Sequence, residues 1–244
     1  MERKANLTAV GAVAARIPQG LSQASGPGPQ AECDVCRDTG MEIIEGVGAR
    51  ACVCRVKRIR DKRLSVIPPA FRDVRLGDLV AMPDVHRMQS EAVPFVQAHP
   101  EMSYLLAGRF GTGKTMLMWA LYRDAVDRGV DRVVICTAKA LMDEIRAYGL
   151  GGGVVPRVSG ESLRQSDVRW SLFIDDLDKD KASEYANSQL FEIVNAAYEY
   201  KHQIVVTTNL DVAGLVDHFD KEDERFGGAI VRRIVDGAKV YEMF

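Results

Sequence analysis

The 244 residues are 47% hydrophobic and 27% charged, which suits one medium α/β domain with a small appendage. A net charge of −2 excludes a global field that would draw the chain onto nucleic acid or membrane, so any basic surface must be local. No apolar run approaches the ~18–20 residues of a membrane span. The charged start, Met1-Glu2-Arg3-Lys4, leads into a short Ala/Val stretch without a convincing cleavage site, so we expect a cytoplasmic protein.

Residues 1–30 are broken by Pro18-Gln19-Gly20 and Gly26-Pro27-Gly28-Pro29 and are poor in large apolar groups. They read as a flexible arm, with a short helix at 7–15 as one option. Four of the five cysteines follow, as Cys33-x-x-Cys36 and Cys52-x-Cys54. Four thiolates can surround a tetrahedral Zn2+, and two close pairs keep the loop-closure cost small. The other reading is free thiols. Residues 41–44 and 49–51 can form a minimal hairpin between the pairs. Cys136 stands alone in an apolar strand and reads as a small core residue.

Residues 53–67 combine Val53, Val56, Ile59, Leu64 and Ile67 with six Lys and Arg residues. That predicts an amphipathic basic helix, either contacting nucleic acid or an acidic partner, or serving as a solvated connector. Pro68-Pro69 stops it. The division expected is a flexible arm at 1–30, a zinc-binding module with its basic helix at 31–67, and an ATPase core at 68–244.

The core begins with a predicted helix at 85–98, then alternates strand and helix, which argues for a mostly parallel sheet. Strands are expected at 104–107, 132–136, 170–174, 204–207 and 239–243. Helices are expected at 115–128, 138–148, 183–200 and 228–235, with a flexible glycine-rich stretch at 149–160.

Gly108-Arg109-Phe110-Gly111-Thr112-Gly113-Lys114-Thr115 fits G-x-x-x-x-G-K-[ST], between a strand and a helix. Glycines let backbone N–H groups turn inward on phosphate, and the helix terminus adds partial positive charge. Lys114 is expected on the β- and γ-phosphates of ATP and Thr115 on Mg2+. The apolar strand Ser171–Ile174 ends in Asp175-Asp176. Asp175 is placed on Mg2+ and Asp176 on the attacking water, the alternative for Asp176 being a helix cap. A second apolar strand ends in Thr207-Thr208-Asn209, where Asn209 can sense the γ-phosphate or simply form a turn. Arg225, Arg232 and Arg233 are expected out of reach of the site in their own subunit. Arg233, or else Arg232, is the candidate for an arginine acting across a homo-oligomeric interface.

With these pieces in place the chain resembles the DnaC/IstB family of AAA+ ATPases, and within it the bacterial and phage helicase loaders. The resemblance rests on Cys33-x-x-Cys36-x-Asp38-Thr39-Gly40, Cys52-x-Cys54, Ile67-Pro68-Pro69-x-Phe71-Arg72-Asp73, the phosphate loop, Asp175-Asp176-Leu177, Thr207-Thr208-Asn209-Leu210 and the arginine pair. It implies a three-layer AAA+ P-loop core, ATP hydrolysis, contact with single-stranded DNA, and delivery of a DnaB-type ring helicase gripped by the zinc module. Two positions depart from the family pattern: Asp178 stands where Gly is usual, and Ala197 where Arg often precedes Tyr198. Two other functions use the same core. One is an IstB-like transposition ATPase acting with a transposase on duplex DNA. The other is a nucleotide-switched helicase adaptor without significant hydrolysis. The four-cysteine module favours the loader.

Overall fold

Short apolar strands alternating with amphipathic helices can hide both faces of a sheet only by laying helices on each. The computed structural model describes residues 31–46, 48–81, 87–149, 158–179, 183–220 and 226–243. It divides into two compact units, Met1–Cys52 and Val53–Phe244.

In the first unit, β1 (Met41–Ile44) and β2 (Gly48–Ala51) form an antiparallel hairpin with Met41 opposite Ala51. The turn before it is tight, because Arg37 N donates to Cys33 O at 2.8 Å and Arg37 and Asp38 both take positive φ, 49° and 66°. The Asp38 carboxylate accepts from the N–H groups of Glu32 and Cys33, each at 3.0 Å. An aspartate is suited to this position, since it tolerates left-handed backbone and bonds nearby amides.

The second unit begins with α1 (Val53–Leu64), followed by 3-10 turns at Pro69–Phe71 and Leu76–Ala81 and by α2 (Arg87–Ala98). Then come β3 (Tyr104–Gly108), α3 (Lys114–Asp127), β4 (Arg132–Thr137), α4 (Ala138–Gly149), α5 (Gly160–Arg164) and β5 (Trp170–Asp175). The unit closes with α6 (Glu184–Glu199), β6 (Gln203–Thr208), α7 (Val212–Asp220), α8 (Gly227–Gly237) and β7 (Lys239–Met243). The five strands from β3 to β7 pair in parallel in the order β4-β5-β6-β3-β7.

Successive strand residues point to opposite faces, and here both faces are dry. Leu105, Leu172, Ile174, Ile204 and Val206 meet α4, α6 and α8 on one side. Tyr104, Leu106, Phe173, Val205 and Tyr241 meet α2 and α3 on the other. The result is three layers, helices over sheet over helices, with every residue of β3 buried. Among the described residues no helix is long and apolar enough to cross a membrane.

The basic helix is shorter than the predicted 53–67, ending at Leu64, and it is not amphipathic in effect. Val53, Val56 and Ile59 are exposed, Leu64 at its end is partly buried against the core, and Ile67 beyond it is fully buried. Two of its cations serve packing instead. Arg60 forks onto Asp127 at 2.9 and 2.6 Å, Arg63 donates to Val130 O at 2.8 Å, and Tyr122 Oη donates to Arg63 O at 2.9 Å. These ties fasten α1 to α3 within the second unit. Two helices were not foreseen. The five-residue α5 is held by a Ser159/Ser162 capping box, and α7 buries Leu215 and Phe219. The expected arm at 1–30, the start of the helix predicted from 85, most of the glycine-rich stretch and Arg225 lie outside the described residues.

β7 runs hard against the end of β3. Gly108 has φ 152°, and a Cβ built there would collide with Met243 O and lie 2.7 Å from Met243 Cβ. Gly108→Ala is therefore expected to cost about 2–4 kcal/mol, from backbone collision and an unfavourable φ. Urea denaturation at equilibrium measures it, and a loss under ~0.5 kcal/mol, the range of ordinary surface changes, contradicts the packing described.

Candidate functional site

Three strand ends build the site. In an open parallel sheet the crevice beyond the carboxyl ends of the strands is where ligands are held. β3 delivers the phosphate loop, β5 the acidic pair, and β6, which lies between them in the sheet, delivers Thr207, Thr208 and Asn209.

The loop turns on Gly111 and Gly113, both near φ 80°, and Gly113 caps α3. The first turn of α3 itself carries no acidic side chain, so its amide groups and dipole favour an anion there. Lys114 is buried, and its three ammonium protons have three acceptors: Gly108 O at 2.7 Å, Arg109 O at 2.9 Å and Asn209 Oδ1 at 3.2 Å. Burial pulls its pKa down, and the neighbouring charges of Asp176, Asp178 and Asp175 oppose that shift. Thr112 Oγ1 ties the loop to Arg109 O at 2.9 Å. Phe110 projects outward, 75% exposed, with Lys179 Nζ 4.3 Å from its ring centre.

Asp175 sits at the tip of β5. It accepts from Thr115 Oγ1 at 3.2 Å and from Thr207 Oγ1 at 2.5 Å. Burial raises its pKa, helped by the charge of Asp176 and countered by the two threonine hydroxyls. Thr207 stitches β6 to the acidic turn. Its hydroxyl also accepts from Asp176 N at 2.9 Å, and its carbonyl accepts from Leu177 N at 2.8 Å. This holds Asp176 in the left-handed region, φ 53°, a conformation aspartate tolerates better than most residues. Asn209 Nδ2 reaches Asp176 Oδ1 at 3.4 Å.

The structure thus brings Lys114, Thr115, Asp175, Asp176 and Asn209 together. Arg233 is elsewhere. It lines a cavity of about 260 Å³ with Met102, Ser103 and His202, beside the amino ends of β3 and β6. Its Nε donates to Asn195 Oδ1 at 2.7 Å and its guanidinium lies 5.2 Å from the Tyr198 ring centre. Arg232 is exposed and pairs with Asp236 at 3.3 Å. Ala197 is buried in α6. In the first unit and its junction the sulfurs of Cys33, Cys36, Cys52 and Cys54 all lie within 4.8 Å of one another, with Cys33 and Cys52 at 3.8 Å. None of the cysteines is in a disulfide.

Sequence reasoning gave no role to Asp178. Its carboxylate accepts from Asn209 N at 2.9 Å, Thr208 Oγ1 at 3.0 Å and Asn209 Nδ2 at 3.2 Å. The signal available was the departure itself, an acid three residues past Asp175 where glycine is usual.

A family model described as IstB-like ATP binding protein matches residues 82–243, about two thirds of the chain. The chain belongs to the IstB-like ATP binding protein family. The fold of this IstB-like chain is that of AAA+ proteins. It is similar to a DnaC helicase loader structure, with 16% identity over 72% of this chain and all of that one, at TM-score 0.57. It is similar to DnaI, with 18% identity over 72% of this chain and 94% of that one, at TM-score 0.55. It also resembles AMPPCP-bound DnaA from Aquifex aeolicus, with 20% identity and TM-score 0.53 over 72% of this chain. The chain spans about half the length of that DnaA structure. No curated protein sequence matches the IstB-like chain.

Proposed function

We propose that this chain is an ATP-dependent helicase loader. It binds ATP at the phosphate loop, uses its amino-terminal cysteine module to grip a DnaB-type ring helicase, and helps place that helicase on single-stranded DNA. The observation that carries the reading is the convergence of Lys114, Thr115, Asp175, Asp176 and Asn209 on one crevice. These are the groups that nucleotide hydrolysis needs, and four cysteines with converging sulfurs accompany them.

In this proposal Lys114 transfers its hydrogen bonds from the loop carbonyls to the β- and γ-phosphates, while the amides of the first turn of α3 bind the phosphate oxygens. Thr115 and Asp175, already bonded to each other, are the residues that would hold Mg2+. When bound, that ion neutralises charge on the phosphates. Asp176 accepts a proton from water, and Asn209 orients the water or the γ-phosphate. Arg233 of an adjoining copy supplies positive charge to the transition state.

The cysteine set fits zinc. A tetrahedral ion at ~2.3 Å from each sulfur separates the sulfurs by ~3.8 Å, and the Cys33–Cys52 distance is 3.8 Å. Since all four positions would be protein thiolates, the ion is structural. A transposition ATPase remains the second reading, favoured by the IstB-like family model. Copurification with a ring helicase or with a transposase separates the two. Turnover with and without single-stranded DNA separates a hydrolysing loader from a nucleotide-switched adaptor.

Lys114→Ala should weaken binding of a fluorescent ATP analogue by more than about a hundredfold, the weight of two or more charge-assisted hydrogen bonds; unchanged affinity in a fluorescence titration removes the ATP reading. Metal analysis of the purified chain should find about one zinc per molecule, and folded, metal-free protein refutes the cysteine site. Arg233→Ala should leave that nucleotide affinity intact while lowering hydrolysis, at concentrations where copies assemble, by on the order of a thousandfold. Equal rates for the variant and the parent move the role to another arginine.

A further inference from the structure

Asn209 is caught between groups of opposite kind. On one side the ammonium of Lys114 can only donate, and on the other the carboxylates of Asp176 and Asp178 can only accept. The amide therefore has one satisfactory orientation. Its Oδ1 faces Lys114 at 3.2 Å and its Nδ2 faces Asp178 at 3.2 Å and Asp176 at 3.4 Å. Asp178 is the closer of the two acids. It also holds the backbone N–H of Asn209 at 2.9 Å and the hydroxyl of Thr208 at 3.0 Å, so the whole segment after β6 is fastened to it.

This orientation opposes what a triphosphate requires. Phosphate oxygens accept hydrogen bonds, and an Asn that reports on them must offer Nδ2, not Oδ1. Lys114 has no spare proton, so a phosphate must displace at least one of Gly108 O, Arg109 O and Asn209 Oδ1. Both Nδ2 protons face carboxylates, so binding also means pulling one off Asp178 or Asp176, or leaving an acceptor facing an anion. Both cost affinity, because hydrogen bonds to charged groups are the stronger ones.

We propose that Asp178 is a positioning residue that latches Asn209 with its acceptor toward Lys114, and so sets the affinity of the site for nucleoside triphosphate. Burial alone would raise the Asp178 carboxyl, but the bonds from Asn209 and Thr208 outweigh it and hold the group below the ordinary aspartate range, as a latch needing an anion demands. Glycine at this place, the residue the family resemblance leads one to expect, has no such carboxylate. The inference rests on the ATP reading of the site and adds a control on it.

The test is a titration of the full chain with a fluorescent, non-hydrolysable ATP analogue and Mg2+. Asp178→Gly should tighten Kd by about tenfold, the weight of one hydrogen bond to a charged group. Asp178→Asn, which keeps the volume and serves if the glycine variant does not fold, should tighten it in the same direction by less. In an Asn209→Ala background the gain from Asp178→Gly should shrink to less than about twofold, because the latch has lost the residue it acts through. A residue that merely stabilises the loop would weaken binding when removed. An unchanged or weaker affinity overturns the latch. So does a full gain that persists without Asn209, which would reduce Asp178 to one negative charge repelling another. Failure of the unmodified chain to bind the analogue at all strikes the ATP reading itself, and that result is distinct from either of these.

Discussion

A lysine ammonium with almost no access to water must have every proton satisfied by the protein or by a ligand. Lys114 meets that requirement with two carbonyls of its own loop and one side-chain oxygen from β6. The constraint reaches far into the chain. The carbonyls point inward only because the loop curls on glycines of positive φ. Asn209 arrives only because β6 lies directly beside β3 in the sheet. The sheet holds that order only because helices seal both of its faces. A single buried charge thus ties loop conformation, strand order and layer packing together.

Thr207 is the second tie. Through one hydroxyl and one carbonyl it links β6 to Asp175, Asp176 and Leu177. The acidic turn cannot move without β6 moving as well. Asp175 is bonded to Thr115 on α3 and to Thr207 on β6, so loop, acid and β6 share one hydrogen-bonded framework. Side-chain hydroxyls suit this purpose, since one oxygen can donate to a carboxylate and accept from an amide at once.

Most of this framework was legible in the residues. Four of the five core strands are largely apolar runs bounded by polar or glycine turns and β7 alternates, so their expected limits differ from the observed ones by at most a residue at either end. The glycine loop and Asp175 could be singled out because spacing along the chain defines them. The short helix α5 was not legible, since its five residues carry no period and only the Ser159/Ser162 pair marks it. The basic helix was misjudged because its apolar residues have helical spacing, and spacing does not say whether a partner surface exists to cover them. Val53, Val56 and Ile59 remain exposed, while two of its cations, Arg60 and Arg63, make packing contacts. Asp178 lay hidden for a related reason. Its importance comes from the far end of a different strand, 30 residues on in sequence.

The seating of Gly108 against Met243 has a consequence for how the molecule is made. β3 borders one partner about 100 residues downstream and another about 135 downstream, so local contacts cannot complete it. A ribosome will have emitted the loop, its glycines and its lysine long before either flanking strand exists. The nascent segment therefore carries Lys114 and the loop glycines with no walls to hold them in place. The loop gains its walls only after both β6 and β7 have been made and lie beside β3.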